Sequence, residues 1–382
     1  MITLCNRLSC TGCMACVNRC PRQCLSMLQD QEGFYYPQID QERCTECGLC
    51  RKVCPILTPI RLFSAQTVFA AWGRDDFIRQ CSSSGGIFTI LAQEILRRHG
   101  AVAGAAFDNQ MVLRHRLVRM PEQLPPLRGS KYIQSDIGMI YQAGEKLLKA
   151  GVPLLFTGTP CQIAGFRAFL TKDYEQLYTC DLICHGVPSP RFFQTYLQRL
   201  TAGAVGKLAD FRFRDLEGWG YRPCLCWQDG RKFELPERSN YYLKLFLGAK
   251  NLRESCYLCP FACCERAADI TLGDFWGTDL SPHPAGRSGV SMVMLNTEQG
   301  MSLFSKIKDK IIFYARDLSA AQATNRQLNH PPRRPQERGL LYRDFDRLEE
   351  AEFLRKYRLV RPLFRRILSS WKNFIIKQLT HR

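Results

Sequence analysis

Two cysteine runs open the chain, "CTGCMACVNRCP" from Cys10 to Pro21 and "CTECGLCRKVCP" from Cys44 to Pro55. Both read C-x2-C-x2-C-x3-C-P. The first three thiolates of such a run wrap one face of a 4Fe–4S cube. In the bacterial two-cluster pattern the fourth cysteine crosses to the other cluster. One cluster is thus assigned to Cys10, Cys13, Cys16 and Cys54, the other to Cys44, Cys47, Cys50 and Cys20. Pro21 and Pro55 turn the chain after the last ligand. Zinc sites also use C-x2-C pairs, but two identical four-cysteine runs, each closed by proline, suit clusters better. Paired clusters relay single electrons and do no chemistry of their own. Cys5 and Cys24 lie outside the runs and read as packing thiols.

Further chemistry-bearing stretches follow: "CSSSGGIFT" (81–89), "GSKYIQS" (129–135), "LFTGTPCQIAG" (155–165), "DLICHGVPSP" (181–190) and "SCYLCPFACCERAADITLGDFWG" (255–277). The small-residue loop from Ser82 to Gly86 opens a helix, where backbone N–H groups suit a phosphate. Lys131 adds a point charge for a pyrophosphate. Thr157 to Pro160, at a strand end before a helix, forms a second anion-friendly corner. Each of these loops also reads as an ordinary capped Gly/Ser turn. No G-x-G-x-x-G occurs, so the standard dinucleotide fingerprint is absent.

The elements that must position these residues alternate. "TVFAAW", "AVAGAAF", "LRHRLV", "VPLLFTG" and "LYTCDLIC" read as strands. "GGIFTILAQEILRRHG", "SDIGMIYQAGEKLLKAG" (with Ser135 as cap and Gly151 as stop) and "CQIAGFRAFL" read as helices. That alternation predicts an α/β domain with a largely parallel sheet, whose ligands sit at the carboxyl ends of strands. The fold class expected is therefore α+β / α/β in three parts: a two-cluster ferredoxin domain over 1–57, an α/β domain over 65–322, and a basic amphipathic helical tail over 323–382.

The chain has 382 residues, 20 cysteines and a net charge of +18. Cysteines at cluster spacing, with no basic-then-apolar opening in "MITLCNRLSC", point to a reducing cytoplasm. No apolar run approaches the roughly 20 residues of a membrane span. Nine Lys/Arg and no Asp/Glu lie between Phe353 and Arg382. There Phe364, Ile367, Leu368, Trp371, Ile375 and Leu379 form one helical stripe flanked by Arg365, Arg366, Lys372 and Lys377. Such a stripe fits an anionic membrane surface, here the inner membrane face, and equally fits docking on the protein's own core. No nucleic-acid motif accompanies it, so no nucleic-acid partner is expected.

Taken together, these motifs over roughly residues 1–300 resemble the beta-subunit family of coenzyme F(420) hydrogenases and dehydrogenases, in the version with a fused two-cluster ferredoxin found among bacterial polysaccharide-biosynthesis proteins. The resemblance implies an iron–sulfur flavoprotein. It places FAD against Ser82, Ser84, Gly85, Gly86, Lys131, Thr157, Gly158, Thr159 and Pro160. It implies a third 4Fe–4S cluster on Cys161, Cys184, Cys256 and Cys259, with Cys263 and Cys264 as rival ligands. His185 and Asp274 become proton-handling candidates beside the flavin, set against plain hydrogen-bonding roles. Arg212 and Arg214 suit an anionic substrate or solvent; Cys180, Cys224 and Cys226 read as packing or surface thiols. The implied activity passes electrons from a ferredoxin-type donor through clusters to FAD and an organic substrate. Two alternatives stand beside it: a deazaflavin as hydride partner, and a non-catalytic electron-transfer subunit.

Overall fold

The computed structural model describes residues 3–214, 220–277 and 289–360. Each N-terminal cysteine run turns into a short helix, α1 (Ala15–Arg19) and α2 (Leu49–Lys52). Between them lies an antiparallel hairpin of β1 (Leu25–Gln29) and β2 (Tyr35–Ile39). The body continues with β3 (Thr67–Gly73), α3 (Asp76–Gln80), α4 (Ile87–Arg97), β4 (Ala101–Phe107), β5 (Leu113–Val118), α5 (Ile140–Lys149), β6 (Leu154–Thr157), α6 (Pro160–Leu170) and β7 (Leu177–Leu182). After α7 (Pro190–Thr201), a small sheet of β8 (Leu208–Arg212), β9 (Cys224–Trp227) and β10 (Lys232–Glu234) precedes α8 (Tyr241–Leu247). Then come β11 (Ile270–Asp274), β12 (Ser291–Leu295), α9 (Glu298–Ser305), β13 (Ile311–Arg316), α10 (Leu318–Thr324), α11 (Arg338–Arg347) and α12 (Glu350–Lys356).

Eight strands form one sheet in the order β13–β3–β12–β11–β7–β6–β4–β5. The middle four, β11, β7, β6 and β4, run parallel; the flanking pairs are antiparallel. The sheet is thus mixed rather than largely parallel. On the β4 side the reason is short connection: β5 returns directly after β4 with no crossover helix, and such returns force antiparallel pairing.

The alternating pattern fills both faces. Ile87, Ile90, Leu91 and Ile95 of α4 pack with Leu303 and Phe304 of α9 on one side. Tyr141 and Leu148 of α5 pack with Ile163 and Phe166 of α6 on the other, and Cys13, Met14 and Ala15 join that core. The ferredoxin unit therefore sits on the α5–α6 layer. Gly165 makes this fit possible: a Cβ there would lie 2.9 Å from both Cβ and Sγ of Cys13.

Two expectations change. Ser135 does not cap a helix, because α5 begins five residues later; its hydroxyl meets His115 Nδ1 at 3.1 Å and Gln162 Nε2 at 2.9 Å. The stretch after 323 does not begin as a separate tail. Tyr342, Phe345 and Phe353 are buried in one core with Phe192 and Tyr242. Arg338, fully buried, holds Glu32 at 2.8 and 2.6 Å and the Leu252 carbonyl at 2.7 Å. The stripe from Phe364 to Leu379 lies outside the described residues. Among those described, no helix is long and apolar enough to cross a membrane.

Candidate metal centres and cofactor site

None of the twenty cysteines is in a disulfide. Twelve of them, all from the motifs, gather in three groups. Cys10, Cys13, Cys16 and Cys54 line a void of about 20 Å³ together with Cys5. The thiol of Cys5 hydrogen-bonds to Cys10 and Cys54, which holds both near about 6 and drives its own pKa up. Burial pushes Cys13 up to about 12. Cys20, Cys44, Cys47 and Cys50 line a second void of about 20 Å³, with Cys24 3.3 Å from the Cys20 sulfur. Cys50 borders both voids, so they are neighbours. Each run thus lends its fourth cysteine to the other run's void, as the spacing predicts. Cys5 and Cys24, outside the runs, also border these voids, Cys5 the first and Cys24 the second.

The third group has no single run behind it. Cys161 is the second residue of α6, Cys184 follows β7, and Cys256 and Cys259 lie in and just after the turn Glu254–Leu258. The four line a void of about 40 Å³, which Thr11 also borders. Burial raises all four thiols, Cys256 to about 11. Cys263 and Cys264 are not on its wall. Cys263 Sγ bonds the Pro260 and Glu265 carbonyls at 3.5 and 3.2 Å, and Cys264 bonds the Glu265 carboxylate at 3.4 Å. Among the described residues no three His, Cys, Asp or Glu side chains converge as a single ion requires.

A larger cavity of about 420 Å³ opens at the carboxyl ends of β6, β7 and β11, within the ordinary range for ligand pockets. It shares Thr159, Gln162, Cys184, Gly186 and Val187 with the third cysteine void. Ser82, Ser83, Ser84 and Gly86 form one wall and Thr157, Gly158 and Thr159 another. Helices α4 and α6, eleven residues each, begin at these walls, so two helix N-termini face one space. Gly85 stands behind the wall: a Cβ would lie 2.4 Å from the Ala71 carbonyl, and its N–H donates to Ser291 Oγ at 3.0 Å. Pro160 borders the third cysteine void instead.

Lys131 borders the cavity, but its ammonium donates to the carbonyls of Pro126, Arg128 and Gly129 at 2.9, 2.7 and 3.3 Å. Burial lowers its pKa to about 8. It shapes the loop rather than offering a free charge. His185 has both nitrogens engaged, Nε2 with the Phe246 carbonyl at 3.0 Å and Nδ1 with Gln327 Nε2 at 2.9 Å. Nε2 donates, Nδ1 accepts, and burial lowers the pKa, so the ring is a fixed neutral group. Asp274 accepts from Arg214 Nη1 at 2.5 Å. Arg214 is buried at this wall, whereas Arg212 is half-exposed and reaches Asp210 at 3.4 Å. Cys180 borders the cavity; Cys224 and Cys226 are buried in β9.

The sequence reading missed two wall residues. Arg128 has a buried Nε with no hydrogen-bond partner, directly before the quoted "GSKYIQS". Its sign and its place one residue before that motif were the available signal. His115 has no motif around it. Its Nε2 donates to the Thr157 carbonyl at 3.0 Å, and burial lowers its pKa to about 4.

Comparison with known proteins matches two parts of the chain. Residues 9–56 match the 4Fe-4S dicluster domain, and residues 153–321 match the C terminus of the coenzyme F420 hydrogenase/dehydrogenase beta subunit. Ketoisovalerate oxidoreductase subunit VorC of Methanothermobacter marburgensis is 34% identical over 59 residues, 15% of this chain and 75% of that protein. A solved structure of the F420-reducing [NiFe] hydrogenase complex from Methanosarcina barkeri aligns with TM-score 0.46 at 18% identity, over 70% of this chain and 90% of that one. The chain thus carries a domain matching the C terminus of the coenzyme F420 hydrogenase/dehydrogenase beta subunit, an oxidoreductase-type domain, behind a 4Fe–4S dicluster domain.

Proposed function

We propose that the chain is an iron–sulfur flavoprotein that moves electrons from a ferredoxin-type donor to an organic substrate. The observation that carries this reading is the shared wall between the third cysteine group and the 420 Å³ cavity. In this reading Cys20, Cys44, Cys47 and Cys50 hold the outermost cluster, and the exposed Cys47 faces the donor. Cys10, Cys13, Cys16 and Cys54 hold the next, and Cys161, Cys184, Cys256 and Cys259 a third.

The cavity residues fit FAD. The helix start at Gly86 presents N–H groups to phosphates, and the unpartnered Nε of Arg128 offers a charged donor. Bound there, FAD would supply the step from single electrons to hydride-type chemistry. His185 keeps its neutral ring in place and positions the loop after β7. The Arg214–Asp274 pair faces the same space and would hold the substrate side. The family likeness equally favours a deazaflavin partner, and the likeness to a named subunit favours an electron-transfer role in a larger assembly. Substrates of cell-surface polysaccharide synthesis are the first organic set to screen.

Anaerobic purification followed by iron, sulfide and flavin content tests this. About twelve iron atoms and one FAD per chain support the reading. About eight iron atoms and no flavin leave only a relay. Bleaching of the flavin by reduced deazaflavin separates the deazaflavin partner from the others.

A further inference from the structure

Arg253, Arg266 and Arg338 are among the largest fully buried side chains of the described residues. Arg338 has Glu32 at 2.6 Å, and Arg266 has Asp181 at 3.0 Å. No carboxylate reaches Arg253 among the described residues. Its Nε donates to the Cys10 carbonyl at 2.8 Å and its Nη1 to Gln134 Oε1 at 3.2 Å, while Nη2 is buried without a partner. The rings of Tyr36 and Phe34 lie at 4.0 and 5.6 Å, and they bring no net charge. A buried cation without a counter-charge is strongly unfavourable.

Its place names the missing anion. The Arg253 backbone carbonyl accepts from Cys256 N at 2.9 Å, three residues before a thiol of the third group. Its head lies at Cys10, in the first group. Thr11, the residue after Cys10, and Gln134 both border the third void. A cube on four thiolates carries net negative charge, and two such cubes would flank this one cation.

We infer that Arg253 is the shared counter-charge of the two inner cysteine centres and raises their reduction potentials. Reduction adds an electron to each cube, and a fixed neighbouring cation in a low-dielectric interior favours the reduced form. This rests on the third-cluster reading of Cys161, Cys184, Cys256 and Cys259.

The test is a redox titration of the anaerobically purified full chain, followed by electron paramagnetic resonance, in wild type, Arg253→Met and Arg253→Lys. Iron is counted in each. In Arg253→Met the two inner signals should move to lower potential by a tenfold or greater change in one-electron equilibrium constant, about 59 mV. The outer signal should stay in place, and Arg253→Lys should stay close to wild type. Unmoved inner potentials in Arg253→Met overturn the inference. So does equal loss of iron in the Lys and Met variants, which would show a purely structural role. About eight iron atoms in the wild type would remove the third-cluster reading itself, whatever the variants do.

Discussion

Replacing Gly165 by alanine tests how closely the ferredoxin unit is fitted to the α/β body. The new methyl would stand 2.9 Å from Cys13 Cβ and Sγ and 3.2 Å from the Tyr141 hydroxyl. Ordinary contact begins at 3.4 Å, so Cys13 or the helix must retreat about half an ångström. Overpacking of this kind costs about 1–3 kcal/mol. Alanine within a helix returns about 1 kcal/mol over glycine. The net change in stability is about 0–2 kcal/mol, a small shift in Tm for a chain of this size. Under the proposed cluster ligation, however, the cysteine has no slack, because its Sγ would have to meet a cube. Gly165→Ala should therefore lose iron from the Cys10–Cys13–Cys16–Cys54 centre, or shift its potential, with the fold intact by circular dichroism. Gly144→Ala is the control: its methyl would meet Phe166 Cζ at 3.0 Å and Leu154 Cδ2 at 3.1 Å, away from any cysteine. Equal iron and potentials in Gly165→Ala and wild type would refute the close-fit argument. So would equal iron loss in Gly144→Ala, which would point to general strain.

Further outcomes are expected from other positions. Cys184→Ala should cut iron by about four atoms per chain while Cys263→Ala leaves it unchanged, as read by elemental analysis. Arg128→Met should weaken flavin retention by roughly 10–100-fold, the value of one charge-assisted hydrogen bond, without loss of iron. His115 is neutral when folded and protonates near about 4, below its unfolded value of 6.5. The unfolded chain therefore binds the extra proton between these values, and stability should fall by about 3 kcal/mol as pH drops from 6.5 to 4. His115→Gln should flatten that slope in chemical unfolding followed across pH. Arg338→Met leaves Glu32 without its buried partner; a loss of about 3 kcal/mol in denaturant unfolding would confirm that the segment after 323 is part of the body.

Much of this protein is local in origin. The two cysteine runs bring each fourth cysteine to the other run's void, as a C-x2-C-x2-C-x3-C spacing leads one to expect. The strands and helices of the body follow from periodicities of two and 3.6 with glycine and proline stops, and "CQIAGFRAFL" and "AVAGAAF" fold as they read. The parallel strand ends then place Thr157–Pro160 and Cys184–Gly186 at one rim, as strand–helix alternation requires.

Other features come only from chain segments meeting over long distances. The third cysteine group joins residues up to 98 positions apart, and only the sheet order brings Cys161 beside Cys256. Cys263 and Cys264 match it in residue type yet turn away, since backbone direction is not written in spacing. Lys131 has the charge for a phosphate, but the loop around it supplies three carbonyls that take its donors. Arg253 sits in no motif at all. Its meaning appears only when the fold buries it between two sets of thiols with no carboxylate in reach among the described residues, because charge balance in a dry interior is a property of neighbours in space and not of neighbours in sequence.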